Sequence, residues 1–553
     1  MRTQCLVSRL AQPLSAHTIP IDDIDTNFET LRMTASPSSS SSNVAAAASK
    51  AIDVLGIVGA GAMGRGIAQI AAQAGLTVKL YDTNAAAVQA ALGALRDTLD
   101  KLASKGKIDA ASVEATMGRL HACNALEDLA DCHLVVEAII EKIEIKRDLF
   151  RALEGIVAAD AILASNTSSL SITAIAAACE RPERVAGYHF FNPVPLMKVV
   201  EVIDGLRTAP EVGDALLALG QRMGHTAVRC KDMPGFIVNH AGRGMNTEGL
   251  RVASEGVASF ADIDRILREQ AGFRLGTFEL LDLTALDVSH PVMESIYHQF
   301  YEEARFRPSP ITAVRFAGGL LGRKVGEGFY RYVDGKQQVP PEAPAPDALP
   351  ASVWVSRADT RGFAAVVELL GATGVTIESG EKPSETALIV VTPLGFDATT
   401  CAVEQGLDAA RTVAIDTLLP LAGAKRHTLM TTPVTTADAR NAAHALFAHG
   451  GTPVTVIRDS AGFVAQRVIA TIVNIGADIA QQRIATPGDI DRAVTLGLGY
   501  AKGPLALGDA VGARQLLTVL RNLQSFYGDQ RYRPSPWLTR RAQLGVSLLT
   551  EEA

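Results

Sequence analysis

No excess of basic charge marks this sequence. Lysine and arginine number 52 against 59 aspartates and glutamates, a net charge of −7 at pH 7, which leaves no electrostatic footprint for nucleic acid or an anionic membrane. Aromatic residues are scarce at 5%, so small aliphatic side chains must fill the cores. The six cysteines, Cys5, Cys123, Cys132, Cys179, Cys230 and Cys401, are scattered. None forms a Cys-x-x-Cys pair or a Cys/His group at metal-ligand spacing, so no metal is expected, and reduced, mostly buried thiols in the cytoplasm are. No uncharged run is long enough to span a bilayer. What remains is 48% hydrophobic and 20% charged over 553 residues, a globular composition too long for one core, with two to four domains expected.

Residues 1–50 stand apart. Ser38 to Ser42 is an unbroken serine run and Ala45 to Ala48 an alanine run, a composition that buries too little apolar surface to order itself. Asp22, Asp23, Asp25 and Glu29 speak against a transit peptide. Translation starting at Met33 is the simpler expectation for this disordered extension.

The richest stretch is Val54-Leu55-Gly56-Ile57-Val58-Gly59-Ala60-Gly61-Ala62-Met63-Gly64-Arg65-Gly66. A buried strand leads into Gly59, Gly61 and Gly64 at G-x-G-x-x-G spacing, an apolar helix follows from Ile67, and a second strand, Thr77 to Tyr81, ends at Asp82. Gly59 permits the tight turn, Gly61 lets the backbone approach a pyrophosphate, and Gly64 lets helix and strand pack. The helix N-terminus faces the phosphate charge. Asp82, 23 residues after Gly59, sits where a carboxylate accepts hydrogen bonds from a ribose and repels an added phosphate, so NAD is favoured over NADP. The plainer alternative is a glycine turn in an ordinary α/β domain.

From there to Cys230, strand-like runs (His133 to Val136, Ala161 to Ala164, Arg184 to Tyr188, Lys198 to Ile203, Thr226 to Val228) alternate with helical ones (Asn84 to Lys105, Ile143 to Gly155). That alternation predicts a doubly wound, Rossmann-like α/β domain over 51–233. An all-α domain follows over 234–333, with helices expected at Gly235 to Val257, Asp262 to Ala271 and Pro291 to Glu303. A Pro-rich linker, 334–352, leads to a reduced Rossmann-like segment without a glycine motif over 353–458. A second all-α repeat occupies 459–553. It echoes Pro234-Gly235-Phe236-Ile237-Val238 as Ala461-Gly462-Phe463-Val464-Ala465, Asp262-Ile263-Asp264 as Asp489-Ile490-Asp491, and Arg307-Pro308-Ser309-Pro310 as Arg533-Pro534-Ser535-Pro536, all at nearly one offset.

Polar chemistry concentrates in Ala164-Ser165-Asn166-Thr167-Ser168-Ser169-Leu170 and Gly187-Tyr188-His189-Phe190-Phe191-Asn192-Pro193-Val194-Pro195. His189 at a strand end, with Glu201 among apolar neighbours on the next strand, offers a base near neutral pKa and a carboxylate to fix its tautomer, as proton removal from a secondary alcohol requires. A packed histidine and an edge glutamate are the alternative. With Lys198-Val199-Val200-Glu201-Val202, Pro234-Gly235-Phe236-Ile237-Val238-Asn239 and the glycine stretch, these motifs closely resemble the 3-hydroxyacyl-CoA dehydrogenase family over about residues 53 to 332. The whole chain from 53 onward is similar to its bacterial phenylacetate-pathway branch, whose members act on 3-hydroxyadipyl-CoA.

The resemblance implies NAD-dependent oxidation of an L-3-hydroxyacyl-CoA to the 3-oxoacyl-CoA. It gives His189 and Glu201 the base-and-orienter roles, and makes Ser168 and Asn239 catalytic and substrate-binding. Ser168 as a helix N-cap and Asn239 as a cap or bridge stay open. The cofactor set is Gly59, Gly61, Ala62, Met63, Gly64 and Asp82, with Asn166 and Asn192 near the nicotinamide and Glu141 and Lys146 on the cofactor side; Glu141 and Lys146 are otherwise an ordinary exposed helix start. The serine and lysine that face CoA in the family are missing from Asn84 to Ala90, and Lys101, Lys105 and Lys107 are substitutes or a solvated face.

Gln466 stands at the position equivalent to Asn239, and the nearest stretch to the His189 motif in the second half is Leu429 to Pro433, so that half reads as structural. It supplies the surface that shorter relatives obtain by dimerising. For a dicarboxylic tail, Arg243 and Arg274 are cation candidates, with surface arginine the alternative. A 3-hydroxybutyryl-CoA dehydrogenase, and a nucleotide-binding structural protein without turnover, are the competing functions.

Overall fold

The computed structural model describes residues 52–552; the extension at 1–50, the start at Met33 and Cys5 lie outside them. Among the described residues, eight strands form the first sheet: β1 (Val54–Val58), β2 (Thr77–Tyr81), β3 (Leu120–Ala122), β4 (Leu134–Glu137), β5 (Ile162–Ser165), β6 (Val185–Phe190), β7 (Val199–Asp204) and β8 (Thr226–Lys231), in the order β3-β2-β1-β4-β5-β6-β7-β8. β1 to β6 run parallel, β7 turns back against β6, and β8 runs parallel to β7. β4, β5 and β6 are buried at every position, as apolar runs covered by helices on both faces must be. The chain reverses its direction of winding between β1 and β4, and a crevice opens at the carboxyl ends of strands at such a point.

A helical region follows, with helices Val238–Ser254, Phe260–Arg265, Thr277–Thr284, Leu286–Gln299 and Pro310–Ala317. Two details differ from the sequence pattern. The helix expected from Pro291 begins earlier, at Leu286, with Pro291 inside it. The helix of Phe260–Arg265 passes into a π turn at Ile266–Gln270, which points Gln270 at the second sheet. A short hairpin, β9 (Arg331–Val333) with β10 (Lys336–Gln338), closes this region.

The proline-rich stretch beyond is pinned at its start. Glu342 pairs with Arg265 on one side and Arg426 on the other. The second sheet contains β11 (Ser352–Val355), β12 (Thr376–Ile377), β13 (Leu388–Val391), β14 (Thr412–Ile415), β15 (His427–Thr431) and β16 (Val454–Ile457), in the order β12-β11-β13-β14-β15-β16. Its pairing is parallel except between β14 and β15, so β13 to β16 repeat the pattern of β5 to β8.

The duplication extends to single hydrogen bonds. Asp264 accepts from Phe278 and Glu279 N–H, and Asp491 from Leu505 and Ala506 N–H, in each case 227 residues on. Gly235 and Phe236 take positive φ of 76° and 49°, and Gly462 and Phe463 take 79° and 47°. The first helices of the two repeats, Val238–Ser254 and Ala465–Gln481, lie against each other so closely that a Cβ on Gly244 would stand 2.8 Å from Ile472 Cα. Fully buried Arg467 donates to fully buried Glu248 at 2.7 Å across that contact, and Tyr532 donates to the same carboxylate at 2.8 Å.

Candidate active site

β6 and β7 pair antiparallel with His189 directly opposite Glu201, so the two side chains emerge side by side on one face. His189 Nδ1 lies 2.6 Å from Glu201 Oε2, with His189 only 4% exposed and Glu201 fully buried. The other carboxylate oxygen accepts the backbone N–H groups of Ile237 and Val238, both at 2.9 Å. These open the helix Val238–Ser254, whose N-terminal N–H groups hold the carboxylate in place. An ionised carboxylate is an acceptor, so Nδ1 carries the proton of the neutral ring and Nε2 is left as a base. Rings of Phe191 and Phe236 flank the imidazole, with centroids at 4.4 and 5.8 Å.

Ser168 lies in the loop after β5. The N-cap of the next helix is Ser171, whose Oγ accepts from Ala174 N–H, so capping is not the task of Ser168. Asn239, early in the helix Val238–Ser254, points its Nδ2 toward Ser168 O at 3.5 Å. Asn166 bridges strand ends, its Oδ1 accepting Phe190 N–H at 2.8 Å. Asn192 is exposed on the turn after β6.

Glu141, itself exposed, and buried Lys146 belong to one polar network at the start of the helix Ile143–Ile156. Lys146, 1% exposed, donates to both oxygens of Glu137 at 2.8 Å and lies 3.3 Å from Glu141. Ser165 also donates to Glu137. One oxygen of Glu141 receives Thr167 Oγ1 at 2.6 Å, Ser168 N–H at 3.0 Å and Ser169 N–H at 3.2 Å. Burial opposes the charge on Glu141, but Lys146 and these donors outweigh it and hold the carboxyl below its ordinary range. The network fixes the loop that presents Ser168. Glu137 and Ser165 escaped the sequence reading, although both end strands and stand in register across β4 and β5.

The glycine turn lies at the crevice between β1 and β4. A Cβ on Gly64 would sit 1.8 Å from Gly59 O, and one on Gly59, at φ 107°, would sit 2.7 Å from Ala138 O. Gly61 is different, since a Cβ there would meet nothing within 4 Å. Two glycines make the turn and the third leaves open space in front of a helix N-terminus, the arrangement a pyrophosphate needs. Ala62 is exposed beside it and Met63 half-buried. Asp82 Oδ2 accepts Ala60 N–H at 2.8 Å, which puts the carboxylate against the turn. These residues fit NAD.

A crevice of about 340 Å³ opens beside the serine loop, lined by Ser169, Ser171, Met233, Phe236 and Tyr301 among others. Gln299 bridges it by donating to Ser169 O at 2.9 Å. Lys101, Lys105 and Lys107 are exposed around the end of the helix Ala85–Ser104. Of the two arginines considered, Arg274 is exposed and Arg243 is buried.

The second half has no such pair. By register, the position opposite Thr428 on β15 is Asp416, whose N–H donates to Thr428 O. These two stand where His189 and Glu201 stand in the first half, and Leu429 to Pro433 fall on the strand equivalent to β7 instead of β6. Gln466, fully buried, donates to Asp416 at 2.9 Å and to Pro393 O, and accepts from Gly395 N–H. The amide fills the space.

Comparison with known proteins agrees with this geometry. The family model described as "3-hydroxyacyl-CoA dehydrogenase, NAD binding domain" matches residues 54–233. Its companion, "3-hydroxyacyl-CoA dehydrogenase, C-terminal domain", matches both 235–332 and 462–548. The chain is 37% identical to the 3-hydroxyadipyl-CoA dehydrogenase of Escherichia coli (strain K12), over 89% of this chain and 98% of that protein. It is 44% identical to a probable 3-hydroxybutyryl-CoA dehydrogenase of Deinococcus radiodurans, over 50% of this chain and 99% of that one. The crystal structure of 3-hydroxybutyryl-CoA dehydrogenase from Escherichia coli K12 superposes with a TM-score of 0.78 at 35% identity, over 89% of this chain and 98% of that one. With its glycine turn, its paired imidazole and carboxylate and its twice-matched helical region, the chain belongs to the 3-hydroxyacyl-CoA dehydrogenase family of NAD-dependent oxidoreductases.

Proposed function

We propose that the cleft oxidises the 3-hydroxyl of an L-3-hydroxyacyl-CoA, with 3-hydroxyadipyl-CoA as the preferred substrate. The observation that carries the chemistry is the engagement of His189 Nδ1 by Glu201 at 2.6 Å, which leaves Nε2 to take the hydroxyl proton as C3 becomes a carbonyl carbon. Bound NAD supplies the hydride acceptor. Glu201 stabilises the imidazolium that forms, while its second oxygen stays on the helix N–H groups. Ser168 and Asn239 hydrogen-bond the substrate oxygens and hold C3 in place. Gly59, Gly61, Ala62, Met63 and Gly64 receive the pyrophosphate and Asp82 a ribose. Asn166 and Asn192 stand near the nicotinamide, Glu141 and Lys146 on the cofactor side, and the crevice beside Ser169 gives the CoA arm a route to solvent.

The relative that matches at 37% identity over nearly its whole length supports the six-carbon dicarboxylic substrate. The names of the two other relatives favour 3-hydroxybutyryl-CoA as the second reading. We divide the chain as its sequence suggests, with the second half replacing a dimer partner. We also place the enzyme in the cytoplasm: the five described cysteines are free, and no described helix is long and apolar enough to cross a membrane.

NADH consumption with acetoacetyl-CoA tests the chemistry. His189→Ala should lose about 10³-fold in kcat. An unchanged rate removes His189 from the mechanism, and no turnover by the wild type with any acyl-CoA returns the chain to a non-catalytic nucleotide binder. Comparing kcat/KM for 3-hydroxyadipyl-CoA and 3-hydroxybutyryl-CoA decides between the two substrates.

A further inference from the structure

Arg243 has no charge partner among the described residues. It projects from the helix Val238–Ser254 and is 6% exposed. Its Nε donates to Asn239 O at 2.9 Å, and its Nη1 is buried with no hydrogen-bond partner. The other buried arginines of the helical regions are compensated: Arg467 by Glu248 and Glu255, Arg305 by Asp478, Arg531 by Glu248. An isolated buried cation is expensive unless something neutralises it.

Two more unpartnered polar atoms lie close by. Asn246, three residues along the same helix, has a buried, unbonded Oδ1, and Tyr500 has a buried, unbonded hydroxyl. Tyr500 comes from the second half, just after the helix Pro487–Leu498, and packs its ring on Phe273 at 5.0 Å. That segment presses on the first turns of the helix Val238–Ser254, since a Cβ on Gly497 would lie 2.8 Å from Val238 and one on Gly242 would lie 3.3 Å from Leu498. Tyr500 and Arg243 stand near enough to influence each other's ionisation, while burial lowers the guanidinium to about 10. A guanidinium N–H and a phenol O–H are both donors, a pair complementary to an anionic oxygen.

We infer that Arg243, with Tyr500 beside it, binds the terminal carboxylate of a dicarboxylic 3-hydroxyacyl chain. The inference rests on the dehydrogenase reading of the cleft and assigns its acyl-end specificity. The position suits that role. Arg243 is folded back over Asn239, the residue that faces Ser168, one helical turn or about 5.4 Å along the axis. In a six-carbon diacid the terminal carboxylate carbon lies three carbon–carbon bonds beyond C3, about 3.9 Å when extended, with its oxygens at about 5 Å. A monocarboxylic chain of four carbons ends well short of the guanidinium and leaves it unpaired. The second half of the chain, which has no paired imidazole of its own, then contributes a substrate-facing hydroxyl to the site in the first half.

The test is the ratio of kcat/KM for 3-hydroxyadipyl-CoA to that for 3-hydroxyhexanoyl-CoA, a neutral chain of equal length, measured in one preparation so that any unfolded fraction cancels. Arg243→Met should lower this ratio by about 30-fold or more, Arg243→Lys by less, and Tyr500→Phe by a few-fold. A ratio in Arg243→Met within threefold of the wild type overturns the assignment. Should that variant fail to fold, inhibition of the wild type decides: adipyl-CoA should bind at least tenfold more tightly than hexanoyl-CoA, and equal inhibition overturns the proposal. Absence of turnover by the wild type with either substrate is a separate outcome, which overturns the dehydrogenase reading itself and the carboxylate site with it.

Discussion

Glu201 carries three hydrogen bonds on two oxygens, from His189, Ile237 and Val238. Glu201→Gln keeps the shape but turns one oxygen into a donor, which must face either the imidazole N–H or the two helix N–H groups. We expect kcat to fall by about 10²- to 10⁴-fold with a lower melting temperature, because a fully buried donor is left facing donors; steady-state kinetics and calorimetry on the same sample check both. His240, the neighbour of Asn239, gives a pH prediction. Burial, with Arg243 and Arg305 nearby, lowers its pKa from 6.5 to about 3. Between those values the unfolded chain binds a proton at this position that the folded chain does not, so stability is lost as pH falls through that window, by up to about 1.4 kcal/mol per pH unit. Above pH 6.5 the histidine makes no contribution. Urea midpoints at pH 7, 6 and 5 should fall more steeply for the wild type than for His240→Gln. His189 and Glu201 were legible in the sequence as a base and a carboxylate on successive strand-like runs within motifs of the family; the antiparallel register that sets them opposite each other was not. For Arg243 and Lys146 a surface position stayed open as the alternative, and both are buried, because single-residue chemistry gives no hint that a whole second repeat, or a carboxylate at the end of β4, covers them.

At the scale of elements, the glycine turn separates folding from binding. Gly64→Ala forces a Cβ to within 1.8 Å of Gly59 O, and should destabilise the first sheet by more than about 3 kcal/mol or abolish soluble expression. Gly61 has φ −66°, a conformation any residue adopts, and open space around it. Gly61→Ala should therefore melt within a few degrees of the wild type while weakening NAD binding at least tenfold, as titration calorimetry would show. An equal effect of both substitutions on melting would mean that the open space at Gly61 has no bearing on the cofactor. Strand and helix patterns exposed most elements, since the long runs bury one stripe or both faces. They failed where an element is short or held by tertiary contact. β3 is three residues long with one buried, and β9 and β10 expose most of their side chains. The start of the helix at Leu286 was hidden behind Pro291. The stretch nearest to the His189 motif in the second half, Leu429 to Pro433, begins on β15, whereas register across β14 and β15 makes Asp416 the counterpart of His189.

At the scale of the molecule, the two helical repeats are joined through buried charge. Arg467→Met alone should lower stability by about 3–5 kcal/mol, since it leaves Glu248 buried among Arg531 and Tyr532 without its main partner. Replacing Arg467 and Glu248 together by methionine should cost less than the sum of the two single changes, which denaturant unfolding of the three variants measures. Residues 51 to 335 expressed alone expose the surface that the second repeat covers, and should lose solubility or activity; a fully active monomer from that piece would show the second half to be dispensable. The duplication itself was legible from three short echoes at one spacing. Gln466 at the position of Asn239 already marked the second copy as diverged; what the sequence did not show is that its amide bonds Asp416, Pro393 and Gly395.

That plugged copy sets the arithmetic of ligand uptake. A symmetric pair of shorter chains offers two equal clefts that are free to sense each other's occupancy. If the second half does replace a dimer partner, one polypeptide should take up a single equivalent of dinucleotide, and its saturation curve should be a plain hyperbola with a Hill coefficient of about one.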